Sequence, residues 1–300
     1  MTKTTKLYFQ SIDFWYRPFV HSWIMMKFAI CNEMFESWNT PQGFDFAKVC
    51  QFSKECGYEG IEIAPFTIAP SVYDIPAEKR KEIRKIAESS GLQITGLHWL
   101  LAKTTGLHLT SPGAQVRRKT AEYFQELVRL CADLGGKFMV LGSPNQRFLS
   151  PEVSKEQGEN YAMEIFRTIL PLLEKFGIKI AVEPLTRKET NFWNTAQEVI
   201  DFVKRLDALE QIALHLDCKA MCDEQKSIPE IIRDSRDYFI YLPVNDPNLQ
   251  GPGFGDLQYA PIMAALEEIQ YNGWASLEPF DYSPGPDVLA RKSIEYLKSF

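Results

Sequence analysis

The stretches IKIAVEPL (residues 178–185) and WASLEPFDY (residues 274–282) share one pattern, an apolar, β-rich run that stops on Glu–Pro. An ionised glutamate is costly to bury unless it is paired, hydrogen-bonded or bound to a metal. Glu183 and Glu278 therefore read as strand-end carboxylates that belong to a site. The proline after each suits a chain leaving a sheet, since proline cannot donate to a ladder.

Six further runs of the same kind surround these two: KFAIC (27–31), GIEIA (60–64), QITGLHW (93–99), KFMVLG (137–142), IALHLD (212–217) and YFIYLPV (238–244). Amphipathic stretches lie between them, among them 45–58, 77–91, 114–136, 159–177 and 260–273, several closed by a glycine just before the next strand. Eight strand–helix units over residues 26–300, with no linker or composition break, predict an α/β fold built as a single (β/α)8 barrel. An open doubly wound sheet would call for a glycine-rich phosphate fingerprint after an early strand, and none is present. GPGFGD (251–256) lacks that spacing and reads as a shaped loop at the site. Residues 1–25 are aromatic-rich but interrupted by Asp13, Arg17 and His21, too polar for a signal core or a membrane span; they read as an extension of no assigned function.

A net charge of −6 and a pI near 5.4 argue against nucleic-acid or anionic-membrane partners. The six cysteines form no CxxC pair and sit mostly in apolar patterns, as expected of reduced thiols in a cytoplasmic protein. Cys218 and Cys222 have no histidine or further cysteine nearby and read as inert thiols.

In such a barrel the chemistry sits at the C-terminal ends of the strands. Those ends carry Asn32 and Glu33, Glu62, His98, Ser143, Glu183, Asp217, the run PVNDPN (243–248) and Glu278. Carboxylates from strands five, six and eight would converge on one mouth. Three hard oxygen ligands suit Mg2+ or Mn2+, with Co2+ or Zn2+ admitted if a nitrogen joins them. The bland alternative makes each carboxylate a helix cap or the partner of a loop cation. His215 shares a strand face with Asp217 but lies one layer deeper, as a satisfied core histidine.

MKFAICNE, GYEGIEIAPF, GLHWLL, VEPL…TNFWNTAQE, LHLDCKAM, NDPNLQGPGFGD and LEPFDYSPGP together resemble the sugar phosphate isomerase/epimerase barrels of the xylose isomerase-like TIM-barrel group. That group includes ketose 3-epimerases, hydroxypyruvate isomerase and inosose dehydratase, with endonuclease IV more distant. The resemblance implies an isomerase or epimerase acting on a small carbohydrate, with a divalent metal held by Glu, Asp, His and Glu. Glu183, Asp217 and Glu278 match three of the four. Where the histidine is expected this chain has Pro243, which offers no donor atom. The set is then three carboxylates alone, three completed by Asn245 or Asp246, or no metal site. A substrate histidine of the ketose 3-epimerases is replaced by Ala220. The expected roles are Glu183 and Glu278 as acid and base and as metal ligands with Asp217, and His98, Lys219, Asn245 and Glu62 at the sugar.

The alternatives are a catalytically impaired or non-metal barrel that binds a sugar-like ligand, a related lyase or dehydratase, and an endonuclease IV-like hydrolase. The last would need a histidine-rich metal cluster, and the chain has four histidines. A homo-oligomer is compatible with the sequence.

Overall fold

The computed structural model describes residues 26–38 and 44–300; the extension proposed for residues 1–25 lies outside them. Eight parallel strands pair in chain order and close as β8 meets β1: β1 (Lys27–Cys31), β2 (Gly60–Ile63), β3 (Gln93–Leu97), β4 (Phe138–Leu141), β5 (Lys179–Val182), β6 (Ile212–His215), β7 (Phe239–Val244) and β8 (Trp274–Leu277). Each strand falls within one of the eight runs read from the sequence. The barrel is packed from outside by α1 (Phe46–Cys56), α2 (Ala77–Ser89), α3 (Ala114–Leu134), α4 (Lys155–Phe176), α5 (Ala196–Leu206), α6 (Cys218–Met221), α7 (Ile228–Asp234), α8 (Tyr259–Glu268) and α9 (Pro286–Leu297). Among the described residues no helix is long and apolar enough to cross a membrane.

Helix boundaries follow local signals. The fourth helix starts at Lys155, four residues before the expected 159, because Ser154 and Gln157 form a reciprocal capping box. It stops at Gly177, whose positive φ the sequence pattern anticipated.

Because side chains alternate across a strand, every second residue points into the barrel. The lowest interior layer is apolar and includes Ala29, Val140, Ala181, Tyr241 and Trp274, while a larger apolar cluster fills the space between barrel and helices. Above it lies a polar layer. The Tyr241 hydroxyl donates to Glu62 Oε2 at 3.1 Å and lies 2.9 Å from Thr95 Oγ1. Cys31 Sγ sits 3.5 Å from the same Glu62 oxygen and 3.6 Å from Ser276 Oγ. Polar groups buried this deeply are tolerated because they satisfy one another.

Proline cannot donate to a ladder, yet β7 carries Pro243 in register with Ser276 of β8, with no shift at that point. The register shift lies earlier, where Leu214 faces Phe239 and His215 faces Tyr241. The ladder between β6 and β7 ends where Leu216 N–H reaches the Tyr241 carbonyl at 3.1 Å. Alternation makes residue 243 the next to face β6, just past the end of that ladder, so a missing N–H costs nothing there.

Gly96 in β3 is a close-approach position. A Cβ there would lie 1.8 Å from the Phe138 carbonyl oxygen of β4, a backbone atom that cannot swing aside. Gly96→Ala should destabilise the barrel by on the order of 3 kcal/mol. A urea denaturation midpoint that falls at unchanged slope measures this; an unshifted midpoint would show that the β3–β4 contact is looser than described.

Candidate active site

Glu183 and Glu278 follow β5 and β8 directly, Asp217 lies two residues past the end of β6, and all three are buried. Each offers an oxygen within 4.8 Å of the others. Asp217 is also the N-cap of α6: its Oδ1 accepts from Ala220 N–H at 2.7 Å, which leaves Oδ2 to face Asn245. The capping alternative thus applies to Asp217 and coexists with its place in the cluster. Gly142, after β4, makes room for Glu183, since a Cβ there would lie 2.2 Å from Glu183 Oε2.

Burial, then the charge of Asp217, pushes the Glu183 carboxyl well above its ordinary value, with Lys219 and Arg147 pulling the other way. Burial, then Glu183, does the same to Glu278. Burial also raises Asp217. Among the described residues no lysine or arginine nitrogen lies within 4.0 Å of the three carboxylates. Two charges 4.8 Å apart repel by roughly 3 kcal/mol at an effective dielectric near 20. Three crowded hard oxygens with no ammonium between them fit a divalent cation. The β7 position at which the resemblance implies a histidine ligand holds Pro243, buried two residues before Asn245.

The expected sugar contacts occupy different places. Lys219 Nζ donates to Glu189 Oε1 at 2.8 Å and lies 4.9 Å from the Phe280 ring. His98 Nε2 meets Glu33 Oε2 at 2.6 Å. Burial lowers His98's pKa, but Glu33 outweighs it and holds the imidazole above its usual value. Asn245 is fully engaged within the protein: its Nδ2 donates to Asp217 Oδ2 at 2.6 Å and to the Glu278 carbonyl at 3.3 Å, and its Oδ1 accepts from Lys219 N–H at 2.8 Å. It therefore staples three strand ends together. Asp246, the other substitute ligand considered, is spent on the loop after β7, accepting from Asn248 and Leu257 N–H. Glu62 lies a layer below the mouth, against Tyr241 and Cys31.

His215 does lie one layer deeper, stacked on Tyr241 at 5.9 Å, yet neither ring nitrogen has a hydrogen-bond partner among the described residues. Burial pulls its pKa down to about 3, so it is neutral. All six cysteines are unpaired, and Cys222 is exposed.

The mouth holds a cavity of about 70 Å³ lined by Trp99, Gly142, Glu183, Glu189, Glu278 and Phe280, among others. A neighbouring cavity of about 300 Å³ shares Trp99, Ser143 and Pro144 with it and adds Glu33, Lys103 and Tyr282. A larger groove of about 370 Å³ lies on the surface between α5 and α7 and contains none of the strand-end carboxylates. Sequence reasoning missed Glu189, which sits in a loop six residues past the strand-end motif. It also missed Arg147, wholly buried after β4, whose guanidinium lies 6.0 Å from the Trp193 ring. Burial lowers Arg147's pKa to about 10, with Glu183 and Glu189 opposing the drop. Neither residue ends a strand, so the pattern carried no signal for them.

A family model described as the xylose isomerase-like TIM barrel matches residues 50–300. The chain is 27% identical over 260 residues to a D-psicose 3-epimerase of Ruminiclostridium cellulolyticum, covering 85% of this chain and 84% of that protein. It is 20% identical over 280 residues to a 3-dehydro-D-guloside 4-epimerase of Escherichia coli, covering 91% and 100%. A solved structure of an L-ribulose 3-epimerase superposes with a TM-score of 0.78 at 19% identity, covering 91% and 94%, which speaks to the fold alone. This chain belongs to the xylose isomerase-like TIM-barrel family.

The raised carboxyls carry a pH signature. Glu183 and Glu278 hold protons more tightly folded than unfolded, so their contribution is fully present below the ordinary value of 4.5 and is lost as pH rises through the raised values. Chelator-treated protein should lose melting temperature from about pH 5 upward, and millimolar Mn2+ should restore more of it at pH 8 than at pH 5. A melting temperature indifferent to both pH and Mn2+ would contradict the shared field described above.

Proposed function

We propose that this chain is a sugar isomerase/epimerase that moves a proton at a carbon next to a carbonyl. The observation that carries this is the buried triad Glu183, Asp217 and Glu278 at one barrel mouth, in a family whose similar members include named ketose 3-epimerases and a keto-sugar 4-epimerase. A carbon acid of this kind ionises only if the negative charge arriving on the carbonyl oxygen is stabilised. A divalent ion held by the three carboxylates would supply that stabilisation as a Lewis acid. Glu183 and Glu278 approach from β5 and β8, on different sides of the mouth; one takes the proton from carbon and the other returns it. Burial and their mutual charge raise the proton affinity of both glutamates. The Asn245 amide and the Ala220 N–H favour the charged form of Asp217, against the burial that raises its carboxyl. Lys219, tied to Glu189 of the cavity lining, would meet a substrate hydroxyl, while His98 is buried against Glu33 on the β3 side. Trp99 and Phe280, edge to face at 6.1 Å, offer apolar faces to a sugar ring and limit water.

A second reading rests on Pro243 and Ala220, which remove two histidines that the resemblance implies. In it the barrel binds a sugar-like ligand without turnover. The two readings separate on solvent deuterium incorporation into a panel of ketoses and keto-glycosides, with Mn2+, Mg2+ or Co2+ supplied. Incorporation lowered by roughly 10²–10⁴-fold in both Glu183→Gln and Glu278→Gln supports the proton-transfer reading. Incorporation absent from wild type across the panel, with saturable sugar binding by calorimetry, supports the other.

Pro243→His should tighten Mn2+ binding by roughly 10–100-fold by restoring geometric definition to the ion. The new N–H faces the free end of the β6–β7 ladder, so the backbone accommodates it. Equal affinity in the two proteins, titrated calorimetrically, would show that the triad is already complete without β7.

A further inference from the structure

We propose that Cys31, Glu33, His98 and Glu278 form a second cation site on the β1, β3 and β8 side of the mouth, suited to a borderline-soft divalent ion such as Zn2+ or Co2+. The inference stands whether or not the chain turns over a sugar. The thiol, imidazole and two carboxylates each offer a donor within 4.8 Å of the others, and all four residues are buried. They come from three strand ends, so the barrel itself fixes their spacing.

The present hydrogen bonding leaves this group incomplete. His98 Nε2 and Glu33 Oε2 are joined at 2.6 Å, while His98 Nδ1 and Glu33 Oε1 have no partner among the described residues. Such orphaned buried polar atoms are rare and point to something that would satisfy them. Cys31 has only long contacts, to Glu62 and Ser276. Around the single imidazole stand three carboxylates, Glu33, Glu62 and Glu278, and none of the three has a lysine or arginine nitrogen within 4.0 Å among the described residues. The local excess of negative charge is what a cation would neutralise.

The donor chemistry selects the ion. Mg2+ demands oxygen in octahedral array, whereas thiolate and imidazole nitrogen suit tetrahedral Zn2+ or Co2+. On binding, the proton held between His98 and Glu33 and the proton of the Cys31 thiol both leave to solvent as the bonds from nitrogen, oxygen and sulfur to the metal form. Glu278 belongs to both groups, so it would stand between this ion and the one held with Glu183 and Asp217.

Co2+ titration of the chelator-treated full chain tests this, because a thiolate bound to Co2+ gives a near-ultraviolet charge-transfer absorption that carboxylates cannot give. Wild type should bind two Co2+ per chain with the band present. Cys31→Ser, nearly isosteric, should lose the band and one ion. His98→Gln should weaken the band-forming step by at least ~10-fold. Asp217→Asn should keep the band while losing the other ion, and Cys222→Ser should change nothing. Absence of the band in saturated wild type overturns the second site, and a single ion lost in Asp217→Asn would then leave the carboxylate triad standing alone. A band that survives Cys31→Ser also overturns it, assigning the sulfur elsewhere.

Discussion

Repulsion among carboxylates buried at the barrel mouth is the constraint on which the surrounding structure depends. Glu183, Asp217 and Glu278 share one small space, with Glu33 and Glu62 close enough to add to the field on Glu278. The nearest cations are displaced from them: Lys219 is held off by Glu189, and Arg147 is buried behind Glu183 on the β4 side. The protein thus keeps positive charge in the second rank and leaves the first rank for protons or a bound ion. A fold that only needed stability would pair or replace these groups, since uncompensated buried charge costs several kcal/mol per ion.

The scaffold answers that repulsion with rigid, short-range supports. Asn245 ties Asp217, Lys219 and Glu278 together across three strand ends. Gly142 concedes the volume that the Glu183 carboxylate occupies. Beneath the mouth, the contacts among Cys31, Glu62, Thr95 and Tyr241 separate the charged layer from the apolar base of the barrel. His215 stacks on Tyr241 in the same region as a neutral ring. A graded interior of this kind lets the strands end in carboxylates without exposing the core to water.

The two kinds of information divide along a physical line. Strand identity, chain order and the inward direction of Glu183, Asp217 and Glu278 were legible in the sequence, because side-chain alternation, helix-stopping glycines and the Glu–Pro endings are local effects spanning a few residues. What faces what was not. The Lys219–Glu189 and Cys31–Glu62 contacts join residues 30 and 31 positions apart, and Cys31 and Ser276 are 245 apart. The closeness of Cys31 and Glu278 exists only because β8 closes against β1. The tolerance of Pro243 likewise follows from where the β6 ladder ends, which no stretch of β7 records. Local chain stereochemistry sets the direction in which each side chain leaves its strand, while closure of the barrel, a property of all eight strands together, sets the distances at which those side chains meet.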